Sequence, residues 1–95
     1  MRLDRFLWWA RLAKTRSAAQ AMASAGRLRC DGRLVERSAA PVRVGNILVY
    51  AQGSAVRALR IEALPHRRGP PAEARECYTE LAVGEPDAAN VSQEG

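Results

Sequence analysis

Aromatic residues are scarce, 5% of the 95 residues, with two Trp, two Tyr and one Phe. The core must therefore come from Ala, Val, Leu and Ile, and in so short a chain it is thin. Lysine is nearly missing: Lys14 is the only one among fifteen basic side chains. Histidine occurs once, at His66, and cysteine twice, at Cys30 and Cys77. That is too few ligands for a zinc site. With no CxxC pair, the cysteines read as two free thiols in a reducing cytosol rather than a disulfide. His66 sits between Pro65 and the Arg67-Arg68 pair, in a segment that reads as linker, and no nucleophile is placed to work with it. No phosphate loop or dinucleotide fingerprint is present. No apolar run approaches the length of about 18 residues that a membrane span needs. The start, Met-Arg-Leu-Asp-Arg, is not that of a secretory signal. These absences leave no catalytic group, no cofactor, no metal and no small-molecule substrate to propose. The expectation is a non-enzymatic, cytoplasmic, monomeric binding module with no membrane partner.

What the chain does have is positive charge. The net charge is +5 and the pI about 10.2, but the average hides a division. Residues 1–68 carry fourteen basic side chains against four acids, Asp4, Asp31, Glu36 and Glu62, a net +10. Residues 69–95 carry Arg75 against six acids, a net −5. A folded segment at +10 calls for an anionic partner, nucleic acid first and a membrane surface second. Arginine in place of lysine leans toward RNA or phosphate, because the guanidinium fork binds phosphate bidentately and stacks on bases.

Periodicity outlines the elements. Leu3, Phe6, Leu7, Ala10 and Ala13 make one apolar stripe and predict a helix over 2–13. Thr15 as N-cap and Gly26 after the last turn bound a second helix over 16–25. The period then falls to two. Leu28-Arg29-Cys30 and Arg33-Leu34-Val35 flank Asp31-Gly32, a strong hairpin turn signal. Residues 36–41 read as loop. A strand over 47–50 follows the Gly45-Asn46 turn, and another over 55–64 changes phase near Arg57–Ala58, where a bulge is expected. Pro71 suits the start of a third helix, with Ala74, Cys77, Tyr78, Leu81 and Ala82 as its stripe. The fold class is α+β: two N-terminal helices packed on a small, mostly antiparallel sheet, plus a short C-terminal helix. The domain plan is an RNA-binding domain over 1–66, a linker and helix over 67–84, and a flexible acidic tail over 85–95.

The basic residues fall on few elements. Arg2 and Arg5 share a flank of the first helix with Trp9, a candidate for stacking on a base or ribose. Trp8 lies on the other side and is expected to pack under another element. Lys14, Thr15, Arg16 and Ser17 form a positive turn into the second helix, whose free N–H groups favour phosphate. Gln20 lies one turn beyond Arg16. Arg27, Arg29 and Arg33 belong to the hairpin. Together these eleven residues are expected to make one basic face for RNA. The bland alternative is scattered solvated charge.

Arg2-Leu3-Asp4, Thr15-Arg16-Ser17, Ala19, Gly26, Asp31-Gly32, Pro41 and Gly45-Asn46 as a spaced set resemble the S-four RNA-binding domain, named for ribosomal small-subunit protein four. Asp31 stands where that family usually has Asn, and Asn46 where it usually has Asp. The run Arg2 to Trp8, the Lys14-Thr15-Arg16-Ser17 turn, Gln52-Gly53, Ala72-Glu73-Ala74 and Tyr78-Thr79-Glu80-Leu81 resemble the heat-shock-protein-fifteen family. Some of its members run on into a basic tail, whereas this chain resembles a short branch with an acidic end. The resemblance implies a ribosome-associated binder of large-subunit ribosomal RNA, with stalled peptidyl-tRNA as a further ligand. It gives the contact role to Arg2, Lys14, Thr15, Arg16 and Ser17. Two rival readings stand beside it. One is an accessory or fragment of an RNA-modifying enzyme. The other is a protein-interaction module using the acidic Glu73, Glu76 and Glu80.

Overall fold

Leu3, Phe6 and Leu7 are fully buried, and they define the inner face of helix α1 (Leu3–Trp9). Its first N–H groups are satisfied by the loop expected at 36–41: Leu3 donates to the Ala40 carbonyl at 2.8 Å and Asp4 to Ser38 at 3.1 Å. The helix ends earlier than its stripe predicts. Arg11 takes a left-handed φ of 60°, Leu12 donates to the Leu7 carbonyl and Arg11 to Trp8, the two bonds of a Schellman stop. Leu12 and Ala13 are buried as turn residues, so they extend the apolar stripe without extending the helix. An arginine in that conformation costs about 1–2 kcal/mol. Its side chain gives something back, donating from Nε to the Gly69 carbonyl at 2.6 Å.

Helix α2 (Arg16–Ser24) starts where expected and ends one residue earlier, with Ala25 as its C-cap. Thr15 Oγ1 accepts from the Ala18 amide at 3.0 Å, and Gly26 follows with a φ of 73°. Its buried Ala19 and Ala23 let it lie close on α1.

The computed structural model describes residues 1–82, so the tail expected at 85–95 lies outside the described residues. Among the described residues five strands form one sheet: β1 (Leu28–Cys30), β2 (Arg33–Val35), β3 (Ile47–Gln52), β4 (Ala55–Ile61) and β5 (Tyr78–Leu81), in the order β2-β1-β3-β4-β5. Every neighbouring pair is antiparallel. Asp31 (φ 51°) and Gly32 (φ 83°) turn the β1–β2 hairpin in the left-handed conformations of a type I′ turn. The Asp31 carboxylate also reaches β3, accepting from the Ile47 amide at 2.8 Å and from Asn46 Nδ2 at 2.7 Å.

Two expectations are corrected. The β3–β4 register runs unbroken from Ile47↔Arg60 to Gln52↔Ala55, so β4 has no bulge. Its phase change has another cause. Leu59 and Ile61 face the helices, while Ala58 is buried on the opposite face with Leu81, beside Ile47 and Val49. The third helix, α3, is only Pro71–Arg75. Residues 78–81 leave the helical path and pair with β4, from Ala58↔Leu81 to Ile61↔Tyr78. Open backbone groups along β4 favour a partner strand, and Tyr and Thr suit one. Residues 78–81 thus join the same sheet as its last strand, while Pro71–Arg75 remain helical.

Both helices pack on one face of this sheet, over Leu28, Val35, Leu48, Tyr50, Leu59 and Ile61. Both cysteines are free thiols. Burial pushes the Cys30 thiol up to about 11, with nearby Asp31 adding to it. Burial likewise pushes the Tyr50 phenol up to about 12, and its hydroxyl has no protein partner among the described residues. The unfolded chain releases these protons near pH 9 and 10, the folded chain only above. The folded state then binds more protons, so stability is full below about pH 9 and falls as pH rises toward 12. Urea midpoints at pH 7 and pH 10.5 are expected to show this fall, and the Tyr50→Phe, Cys30→Ala double variant to flatten it. An unchanged fall in that variant would assign it elsewhere.

Candidate nucleic-acid interface

The Arg-Leu-Asp start of α1 has a mechanical reason. Asp4 is buried, yet three donors converge on its carboxylate. It accepts from Arg2 Nε at 3.0 Å and Arg2 Nη2 at 2.9 Å, and from the Arg5 amide at 2.8 Å. The hydrogen bond to Asp4, and then its charge, raise the Arg2 pKa further. A bidentate pair of this kind fixes the plane of the guanidinium, so Arg2 is held at the mouth of α1 with its outer edge in solvent.

Across from it stands the start of α2. Arg16, Gln20, Arg2, Asp4, Arg5, Trp8 and Trp9 line one hollow of about 160 Å³ between the two helices. The Arg5 guanidinium carbon lies 5.5 Å from the Trp9 ring centroid, and that of Arg16 lies 4.8 Å from the Trp8 ring. Such cation–π contacts are worth roughly 0.5–1 kcal/mol each at exposed sites, enough to bias long side chains toward one position. Arg5, Arg16 and Gln20 remain exposed. Lys14 and Ser17 are exposed at the turn into α2, beside Thr15. The Thr15 oxygen already accepts the Ala18 amide, so only its hydroxyl hydrogen is available to an anion.

The hairpin residues are distributed differently. Arg27 is exposed at the entry to β1. Arg29 pairs across to Leu34 and Val49, which puts it on the sheet face away from the helices. Its Nη1 donates to the Gly32 carbonyl at 3.2 Å. Arg33 is exposed and shares a second, broader hollow with Arg43, Pro41 and Asn46. The single face expected from the sequence is thus two basic patches on the helix side and hairpin end, with Arg29 behind them. Residue-by-residue reading missed Arg43, Trp8 and Arg68. Trp8 is only partly buried and lines the first hollow. Arg68 comes from the 65–70 linker, its guanidinium carbon 5.6 Å from the Trp8 ring and its Nε donating to the Trp8 carbonyl at 3.1 Å. The element over Trp8 is this linker. The spacing of Trp8 four residues after Asp4 is the one sequence signal that points it toward the hollow.

Among the described residues, no helix is long and apolar enough to cross a membrane, and no cluster of three potential metal ligands occurs. Residues 1–48 match the family model for the S4 domain. The chain belongs to the S4 domain family. The likeness to heat shock protein 15 extends past that region. The Haemophilus influenzae heat shock protein 15 homolog is 41% identical over 81 residues, 84% of this chain and 60% of that protein. Heat shock protein 15 of Escherichia coli K12 is 34% identical over 82 residues, 86% of this chain and 61% of that protein. The chain therefore spans about three fifths of the length of these relatives. A solved structure of Vibrio cholerae heat shock protein 15, described as trimeric, superposes with a TM-score of 0.80 at 29% identity, covering 98% of this chain and 93% of that one. The fold of this chain is thus that of the S4 domain and of the heat shock protein 15 relatives it resembles, as the sequence resemblance implied. The monomer expected of this chain has a trimeric relative.

Proposed function

We propose that this S4 domain protein is a non-catalytic, cytoplasmic binder of large-subunit ribosomal RNA, acting on free large subunits that carry a stalled peptidyl-tRNA. The observation that carries the RNA reading is the convergence of Arg2, Arg5 and Arg16 with two tryptophans on one hollow between α1 and α2. Arg2 is aimed by Asp4, and Arg5 and Arg16 are held near aromatic rings. Around it, Lys14, Thr15, Ser17 and Gln20 supply further donors, and Arg27 and Arg33 extend the positive surface. Guanidinium groups spread along a surface contact backbone phosphates more than base edges, so recognition is chiefly of folded shape.

Phosphate-dominated binding releases counterions, so affinity must fall steeply with salt. Titration with purified large-subunit ribosomal RNA at several KCl concentrations is expected to give a log–log slope of about −3 to −5, since each neutralised phosphate contributes about −0.9. A flat profile would sink the reading. Sedimentation of cell lysates is expected to place the protein with free large subunits rather than at the top of the gradient.

A further inference from the structure

Several arginines are neutralised by carboxylates: Arg2 by Asp4, Arg57 by Glu80, Arg60 by Glu62, Arg67 by Glu73. The two arginines at Trp8 are not. Arg16 and Arg68 approach the same indole, 4.8 and 5.6 Å from its centroid, and neither has an ion pair among the described residues. Arg68 uses Nε on the Trp8 carbonyl, which fixes the side chain while leaving both Nη groups to donate elsewhere. Its backbone is fixed as well. Gly69, the next residue, is buried and its carbonyl accepts from Arg11 Nε at 2.6 Å. Two guanidinium groups of like charge brought to one ring repel each other. The indole offsets part of that cost, and an anion between them would offset the rest.

We propose that Arg16 and Arg68, positioned on Trp8, form a clamp that takes neighbouring backbone phosphates of an RNA strand. Arg68 is its second jaw, supplied from outside residues 1–48 that match the S4 domain. This rests on the RNA-binding reading above and extends its footprint from the two helices to the 65–70 linker. Trp8 is a positioning residue: it aims both side chains and contacts no phosphate itself. Arg67, next in the chain but turned to Glu73 at 3.0 Å, takes no part.

The test is fluorescence-anisotropy binding of a labelled RNA stem–loop at several KCl concentrations, with urea unfolding of each variant in parallel. Arg68→Gln is expected to weaken binding about tenfold and to reduce the magnitude of the salt slope by about 1. Arg67→Gln is expected to change neither. Trp8→Ala is expected to lose affinity through both jaws, and Trp8→Phe to recover most of it, because a phenyl ring still holds guanidinium. If Arg68→Gln lowers only the urea midpoint and leaves affinity and slope as they were, Arg68 is a helix stop alone and the clamp is overturned. Equal losses in Arg67→Gln and Arg68→Gln would overturn it too, by showing diffuse attraction to the linker. Arg16→Gln separates this proposal from the one beneath it. Should that variant bind like the parent, the α1–α2 site itself is misplaced. Should it fail while Arg68→Gln binds normally, only the second jaw is lost.

Discussion

Arg16→Glu is expected to weaken binding to large-subunit ribosomal RNA by about 100-fold near physiological salt, without unfolding the protein. A hydrogen bond to a charged partner is worth about 1.5–3 kcal/mol, and reversing the charge adds repulsion to its loss. At about 1.4 kcal/mol per factor of ten, roughly 100-fold is the scale of the sum. The fold should tolerate the change for a specific reason. Arg16 is the first residue of α2, and its exposed side chain donates no hydrogen bond within the described residues. A carboxylate there favours the positive end of the helix by about 0.3–1 kcal/mol. That gain roughly balances the lost contact with Trp8. Arg60→Glu is the matched control. Arg60 pairs with Ile47 and Thr79 on the sheet face away from the helices, beside Glu62. Its reversal changes the net charge equally but is expected to cost RNA affinity less than about threefold, as a rim charge outside the site would. Measuring both at one salt concentration separates a located site from bulk charge. If Arg60→Glu proved the worse of the two, the RNA-binding surface would be the sheet.

How much of this is legible in the chain differs by element, for physical reasons. Local signals are reliable where one residue type has one use. Thr15 and Gly26 mark the ends of α2, and Asp31-Gly32 marks a turn whose backbone few other pairs tolerate. Signals fail where a long-range contact decides. The stop after Ala10 places an arginine, not a glycine, in the left-handed region, so nothing in the local sequence announces it. Residues 77–81 satisfy a helical stripe, and only the open side of β4 makes four of them a strand. The site shows the same division. Helical geometry groups Arg2, Arg5, Arg16 and Gln20, and they do share one hollow. Alternation with buried Leu28 groups Arg29 with them. On a sheet covered by helices on one side, that alternation sends it to the far face. Arg68 is invisible to such reasoning, since it meets Trp8 from 60 residues away.

The two departures from the S4 pattern are the feature the structure explains most directly, because they touch. Asp31, in place of the usual Asn, accepts from Asn46 Nδ2 at 2.7 Å, and Asn46 replaces the usual Asp. Asn46 Oδ1 in turn accepts from the Arg43 amide at 2.7 Å, and Asp31 Oδ1 accepts from Ile47. Each side chain thus spends one oxygen on backbone and its other atom on the partner. Exchanging the two residues preserves every bond. With asparagine at position 31 and aspartate at position 46, the contact between them only reverses its direction, and each side chain still accepts from the same backbone amide. Changing one alone cannot. Asp31→Asn sets two amide donors against each other, and flipping either amide only moves the conflict to a backbone N–H. Asn46→Asp sets two carboxylates at hydrogen-bond distance. Each single variant is therefore expected to lose about 1–2 kcal/mol of stability, the usual scale for a lost bond that leaves its partner unmatched. The Asp31→Asn, Asn46→Asp double variant is expected to return to within about 0.5 kcal/mol of the parent, a coupling of about 2 kcal/mol or more. In a domain of this size each kcal/mol moves the melting temperature by about 4–8 °C, so a thermal melt of the four proteins decides it. Additive losses in the double variant would mean that the contact is incidental and that the two positions drifted independently.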